Sequence, residues 1–240
     1  MTEPVRLAKR VVALTRCSRR EAEQYIEGGW VRVDGVVVEE PQFMVAAQTV
    51  DIAPDARPVP AEPVTLVLHK PVGYDAGPGP HPADALVTPA NRSPGDASGV
   101  RPLKRHLQRL ASPLPLPAGA SGLLVYTQDW RVVRKLTEDI ARIEQEFEVD
   151  VGGELIPDGL ALLNHGLRFS HYAMPPVKAS WQSEHRLRFA FKGLQPTLIE
   201  PMCNAVGLQV LALRRLRVGR IPLARLPPGH WRYLAPTERI

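Results

Sequence analysis

The sequence predicts an α+β protein in two parts: a small helix–helix–hairpin module, then a larger domain of mixed strands and helices. Three observations lead there. A capping-box helix and an Asp-Gly hairpin fall within the first 57 residues. Four prolines (Pro54, Pro58, Pro60 and Pro63) crowd into eleven residues, a composition that favours a stiff, extended linker. Beyond it, apolar strands and short helices succeed one another without the regular alternation of a parallel α/β sheet. The parts are therefore residues 1–57, a linker over 58–63 and a domain over 64–240.

In the first module, Leu7, Val11 and Leu14 fall at i, i+4 and i+7, one apolar face of a short helix, with Arg6, Lys9 and Arg10 elsewhere on it. Ser18-Arg19-Arg20-Glu21 has the spacing of a capping box, in which the serine oxygen accepts the N3 amide and the glutamate reaches back to the cap amide. Ala22, Tyr25 and Ile26 continue as the buried face of this second helix, and Gly28-Gly29 ends it. Val31 and Val33, then Val36 and Val38, flank Asp34-Gly35, the two-residue turn that best matches strand twist. Between Val5 and Arg20 lie Arg6, Lys9, Arg10, Arg16, Arg19 and Arg20 and no acid. They crowd around the start of the second helix, whose free amides favour phosphate, so a phosphate-binding surface is expected there with Ser18 at the cap.

In the larger domain, Val64 to Leu68 reads as a buried strand leading into Lys70-Pro71-x-Gly73, and Gly122 to Thr127 as another. Between them the tract from Pro71 to Pro117 holds ten prolines and reads as loops around at most one short helix, Leu103 to Leu110. Its Arg101, Lys104, Arg105, His106 and Arg109 suit a polyanion-contacting helix and an ordinary exposed one equally. Val132, Val133, Leu136 and Ile140 mark one helix face, while Phe147, Val149 and Val151 alternate as a strand, as do Leu187, Phe189 and Phe191. Met202 to Gly207 reads as a short helix, with further strands at Gln209 to Leu213 and Trp231 to Leu234. Arg214, Arg215, Arg217 and Arg220 are the remaining basic cluster; in a strand, 215 and 217 share a face, either as a polyanion contact or as a solvated edge.

Composition narrows the function classes. Net charge is +5, a modest bias toward a polyanionic partner. A hydrophobic content of 44% and a charged content of 23% exclude wholesale disorder and fibrous repeats. No apolar run approaches the ~20 residues of a membrane span, and the N-terminus shows no apolar signal segment, so a cytoplasmic, membrane-free protein is expected. Cys17 and Cys203 show neither disulfide framework nor metal spacing, and His69, His81, His165, His171, His185 and His230 read as structural, so no metal is expected.

The run Arg6-Leu7-x-Lys9, Ser18-Arg19-Arg20-Glu21-Ala22, Ile26, Gly29 and Val31-x-Val33-Asp34-Gly35 resembles the S4 RNA-binding domain. Lys70-Pro71-x-Gly73, Gly122-Leu123-Leu124-x-x-Thr127-x-Asp129, Met202 to Gly207, Arg215-x-Arg217-x-Gly219 and Gly229-x-Trp231-Arg232-x-Leu234 are similar, in order, to the S4-domain bacterial ribosomal RNA pseudouridine synthases. The resemblance implies an S4-type module followed by a mixed, largely antiparallel sheet with flanking helices. It also implies structured ribosomal RNA as partner, and a cofactor-free reaction in which an aspartate attacks uridine while the uracil is detached and rejoined through carbon. Its RNA-binding residues would be Arg6, Lys9, Arg10, Arg16, Ser18, Arg19 and Arg20, with Arg214, Arg215 and Arg217 from the larger domain.

The site motifs depart from the family's pattern. The family's aspartate, in an Arg-Leu-Asp triplet, lies five residues before the glycine of the Gly-Leu-Leu strand; here that position is Pro117, which has no group to attack or take a proton. A gapped register through Arg109-Leu110 meets Ala111, and Asp129 lies past the other end of a strand roughly 16 Å long. The family's tyrosine corresponds to Phe147, which keeps the ring and loses the hydroxyl. The family's late Arg-Arg pair corresponds to Glu200-Pro201. Catalytic residues are therefore expected to be absent, leaving an inactive RNA-binding protein. The alternatives are a working synthase drawing on Asp75, Asp84 or Asp96, and a protein-interaction scaffold.

Overall fold

The computed structural model describes residues 3–60, 62–165, 167–169 and 172–240, so His171 lies outside the described residues. Two compact units emerge. One holds residues up to Pro63 together with Arg101–Gln108; the other holds Val64–Val100 and Arg109–Ile240. Among the described residues no helix is long and apolar enough to cross a membrane.

In the first unit, β1 (Val5–Arg6) runs into α1 (Leu7–Thr15), followed by α2 (Arg19–Glu27), β2 (Val31–Val33), β3 (Val36–Val37), β4 (Met44–Val45) and β5 (Val50–Ile52). Leu7 and Val11 are fully buried as the α1 pattern requires, but Leu14 is exposed, because the helix closes one residue later in a left-handed Arg16. The capping box forms: Ser18 Oγ accepts from the Glu21 amide and a Glu21 carboxylate oxygen accepts from the Ser18 amide. Asp34 and Gly35 take φ of 49° and 80°, the double left-handed turn that a two-residue hairpin demands. β2 pairs with β3 on one side and β5 on the other, and β1 pairs with β4. A single apolar cluster around Leu7, Val11, Ala22, Ile26, Val31 and Val45 holds these pieces together.

The segment Arg101–Gln108 completes this unit. The expected helix Leu103–Leu110 is only a 3-10 turn, Lys104–Leu107, and Arg109 beyond it is left-handed. Its side chains dock: the Arg101 guanidinium lies 3.7 Å from the Trp30 ring centre and donates to the Gly29 carbonyl at 3.2 Å. The Lys104 amide donates to Glu39 at 2.9 Å, Lys104 and Arg105 pair with Glu40 and Glu27 at 3.5 Å, and Leu103 and His106 are buried. The basic residues of this segment thus answer the acids of the module.

The second unit contains β6 (Thr65–Lys70), β7 (Ala120–Thr127), α3 (Trp130–Glu138), β8 (Glu144–Gly153), α4 (Gly159–Asn164), β9 (Arg168–Phe169), β10 (Tyr172–Ala173), β11 (Lys178–Ser183), β12 (Arg186–Lys192), α5 (Ile199–Asn204), β13 (Leu208–Val218), β14 (Ile221–Pro222) and β15 (Trp231–Tyr233). Its main sheet runs β11-β12-β8-β13-β7-β6-β15, with β14 paired to β13; among these described strands only β13 and β7 pair in parallel. The fold is therefore α+β with a mixed, largely antiparallel sheet. Odd-numbered β8 residues Phe147, Val149 and Val151 enter the core, with Leu187, Phe189 and Phe191 of β12 and Ile199, Met202 and Cys203 of α5. The even-numbered Glu144, Glu146, Glu148 and Asp150 point the other way, as strand alternation dictates.

Candidate functional site

On the first unit, the ladder sets Arg6 of β1 directly across from Met44 of β4. Arg6, Lys9 and Arg19 border one groove of about 850 Å³. The other cations are placed differently. Arg10 is tied to the Ala46 carbonyl at 2.8 Å, whereas Arg16 and Arg20 are exposed. The amides at the start of α2 are less available than expected. Ser18 and Glu21 satisfy each other, and hydrogen bonding from Ser18, its amide foremost, holds the Glu21 carboxyl below its usual range, which places an anion at the start of the helix.

In the second unit, the Leu114–Ala118 loop is strung between two buried cations. Lys70 Nζ donates to the carbonyls of Pro71, Tyr74 and Ala118 at 3.0, 2.7 and 3.3 Å. Burial pushes its pKa down to about 8, against the attraction of Asp75. Arg215, with no exposed surface, donates to the carbonyls of Leu123 (2.7 Å) and Leu114 (2.8 Å) and to Gln145 Oε1 (3.2 Å). Burial lowers its pKa to about 9, still cationic at neutral pH. Close approach explains Gly122, whose φ is +107°: a Cβ there would collide with the Arg215 backbone.

Position 117 opens onto an apolar groove of about 560 Å³, walled by Pro113–Pro117, Leu136, Ile140 and Gly193–Thr197. No charged side chain is among the described residues that line it. Behind it, Leu116 joins Phe147, Leu194 and Ile199 in one buried cluster, and Phe147 stacks on Phe191 with ring centres 5.2 Å apart. The loop bearing Pro117, the Phe147 strand and the segment leading into Glu200-Pro201 thus converge. Glu200 is exposed on the first turn of α5.

The arginines of β13 correct two expectations. The strand continues through Val218, and a bulge between Arg215 and Arg217 flips the alternation, so the two do not share a face. Arg215 turns into the core and presents no guanidinium to a polyanion. Arg217 pairs with Glu144 and with Glu146 (2.9 Å), and Arg214 pairs with Glu148 at 2.7 Å. With Arg188 on Glu146 and Arg186 on Asp150, they form a cross-strand charge ladder rather than an open basic surface.

Asp75, Asp84 and Asp96 all lie away from the groove at position 117. Asp96 accepts from Arg92 Nε at 2.9 Å and from the Ser98 and Tyr233 amides, Asp75 accepts from the His81 amide, and Asp84 is exposed on a 3-10 turn. None of the three lines the groove at Pro117.

Residues 5–51 match the S4 domain. Over nearly the whole chain the sequence is similar to an uncharacterized RNA pseudouridine synthase of Aquifex aeolicus (strain VF5), 26% identical over 98% of this chain and 94% of the relative. It is also similar to the large-subunit ribosomal pseudouridine synthase B of Bacillus subtilis (strain 168), 26% identical over 97% and 93%. The dual-specificity RNA pseudouridine synthase RluF of Escherichia coli (strain K12) is likewise 26% identical, over 98% of this chain and 77% of the relative. In three dimensions the fold resembles a crystal structure of a pseudouridylate synthase, with a TM-score of 0.61, 18% identity and 96% of each chain covered. The chain thus carries an S4 module at residues 5–51 and is similar, over nearly its whole length, to RNA pseudouridine synthases of the S4 type.

Proposed function

We propose that this protein binds structured RNA, ribosomal RNA foremost, and does not isomerise uridine. The observation that carries the reading is the groove at Pro117. Isomerisation needs a carboxylate within about 3 Å of the reacting base, and here the corresponding loop offers prolines and leucines above a packed Phe147. Two further positions agree. Phe147 lacks a hydroxyl, and Glu200-Pro201 supplies negative charge where a flipped nucleotide needs positive charge. RNA binding rests on the basic side chains of the S4 unit, Arg6, Lys9, Arg16, Arg19 and Arg20, with Ser18 and Arg10 shaping that unit from within. In the second unit the ion pairs of Arg214 and Arg217 and the burial of Arg215 argue for structural roles.

The test is a map of modified uridines in RNA from cells with and without the protein, alongside purified protein on transcripts. No protein-dependent site is expected, and Pro117→Asp alone restores none. A site that appears with the wild-type protein in both experiments and disappears in Asp75→Asn, Asp84→Asn or Asp96→Asn overturns the inactive reading. RNA binding is tested separately: Arg16, Arg19 and Arg20 all replaced by alanine should flatten the salt dependence of affinity by roughly one unit of log–log slope for each phosphate left unneutralised.

A further inference from the structure

We propose that the groove beside Arg6 and Met44 on the S4 unit receives one unpaired nucleotide of the bound RNA; this rests on the RNA-binding reading above. Phosphate binding alone does not account for what lines this groove. Between the cations Arg6, Lys9 and Arg19 lie Val5, Ala8, Val12, Pro41 and Met44, an apolar floor. Met44 is 51% exposed, an uncovered thioether facing the same side of the ladder as Arg6. A phosphate has no use for such a floor, whereas a nucleobase does. Its faces are apolar, methionine sulfur makes favourable contacts with aromatic rings, and an arginine plane stacks on bases.

The polar groups fit the rest of a nucleotide. Lys9 and Arg19 stand where phosphates on either side would reach them, Arg19 being oriented by Glu23 at 2.9 Å. Gln42 and Glu23, on the same rim, can accept hydrogen bonds from a base edge. A continuous duplex keeps its base faces in the stack and offers only backbone, 2′-hydroxyls and base edges to this surface. The occupant is therefore a bulged or looped nucleotide flanked by helical RNA. The groove's volume of about 850 Å³ leaves room for one.

The experiment compares two fluorescent RNA hairpins by anisotropy, one with a fully paired stem and one with a single bulged nucleotide, across a salt series. Wild-type protein is expected to prefer the bulged hairpin by about ten-fold, the scale of one base stacked on protein. Met44→Ser should bring the two affinities within about two-fold with the salt slope unchanged, Met44→Leu should keep the preference, and Lys9→Ala should weaken both RNAs alike. Equal wild-type affinities, or a full preference surviving Met44→Ser, overturns the nucleotide site while leaving RNA binding intact. Failure to bind either hairpin overturns the RNA-binding reading and the nucleotide site with it.

Discussion

Lowering the pH from 7 to 4 should loosen the first unit through His106. This side chain of the docked Arg101–Gln108 segment is 4% exposed, and burial, aided by the charge of Arg105, lowers its pKa to about 4. In the unfolded chain it titrates near 6.5. A base whose folded pKa is depressed contributes its full stability above the unfolded value and loses it as pH falls from 6.5 toward 4, because the unfolded chain binds the proton first. At about 1.4 kcal/mol per pH unit the loss approaches ~3 kcal/mol, a large share of a small unit's stability. Glu39 works against it. Burial holds its carboxyl above the usual range despite the Lys104 amide, so its protonation favours the folded form and trims the loss. The assay follows the Trp30 indole by NMR through urea titrations at several pH values, in wild type and in His106→Gln. Wild type should lose the extra stability below about pH 6.5 and the variant should not. Parallel curves for the two proteins, or wild-type stability that rises toward pH 4, would refute the reasoning.

Two other outcomes test the second unit. Arg215→Met should cost about 3 kcal/mol or more in urea unfolding, because it strands the acceptors at Leu114, Leu123 and Gln145 inside the core; a near-neutral result would show that the loop does not hang on this cation. Glu144 and Asp150, held low by hydrogen bonds from Arg217 and Arg186, and Glu146, held low by Arg188 and Arg217 against its burial, add stability that is complete above about pH 4.5 and lost below it. Arg217→Ala should shrink that acid-side loss, read from melting temperatures at about pH 6 and about pH 3.5.

Much of this was legible in the chain. Local chemistry fixed the α2 cap and the Asp34-Gly35 hairpin, since both are satisfied within a few residues. Alternation likewise exposed β8 and β12. The apolar pattern ends β13 at Leu213 because Leu-Arg-Arg-Leu-Arg breaks alternation; the acids that justify those arginines lie on β8, some 70 residues earlier in the chain. The bulge that separates Arg215 from Arg217 has no local signal either. At the candidate site, the proline at 117 is legible in the sequence itself. The packing behind it is not, because Leu116, Phe147, Leu194 and Ile199 come from four distant stretches. Met44 has no local signature, since a lone methionine carries no pattern until β1 and β4 set it opposite Arg6.

The Arg101–Gln108 segment makes the S4 unit non-contiguous. The chain leaves it at Pro63, returns for eight residues and leaves again. A truncation that stops at Pro63 would strip the cover from Trp30 and leave Glu27, Glu39 and Glu40 without the partners that Lys104 and Arg105 bring. Such a fragment is an incomplete cassette, not a transplantable domain. Supplied in trans, a peptide of residues 101–108 should bind and stabilise it. Conversely, a protease cut within residues 58–63 should leave two pieces that stay associated through that segment, so nicking and separation become distinct events. An insertion between Val100 and Arg109 would be felt first around Trp30, some 70 residues away in the chain.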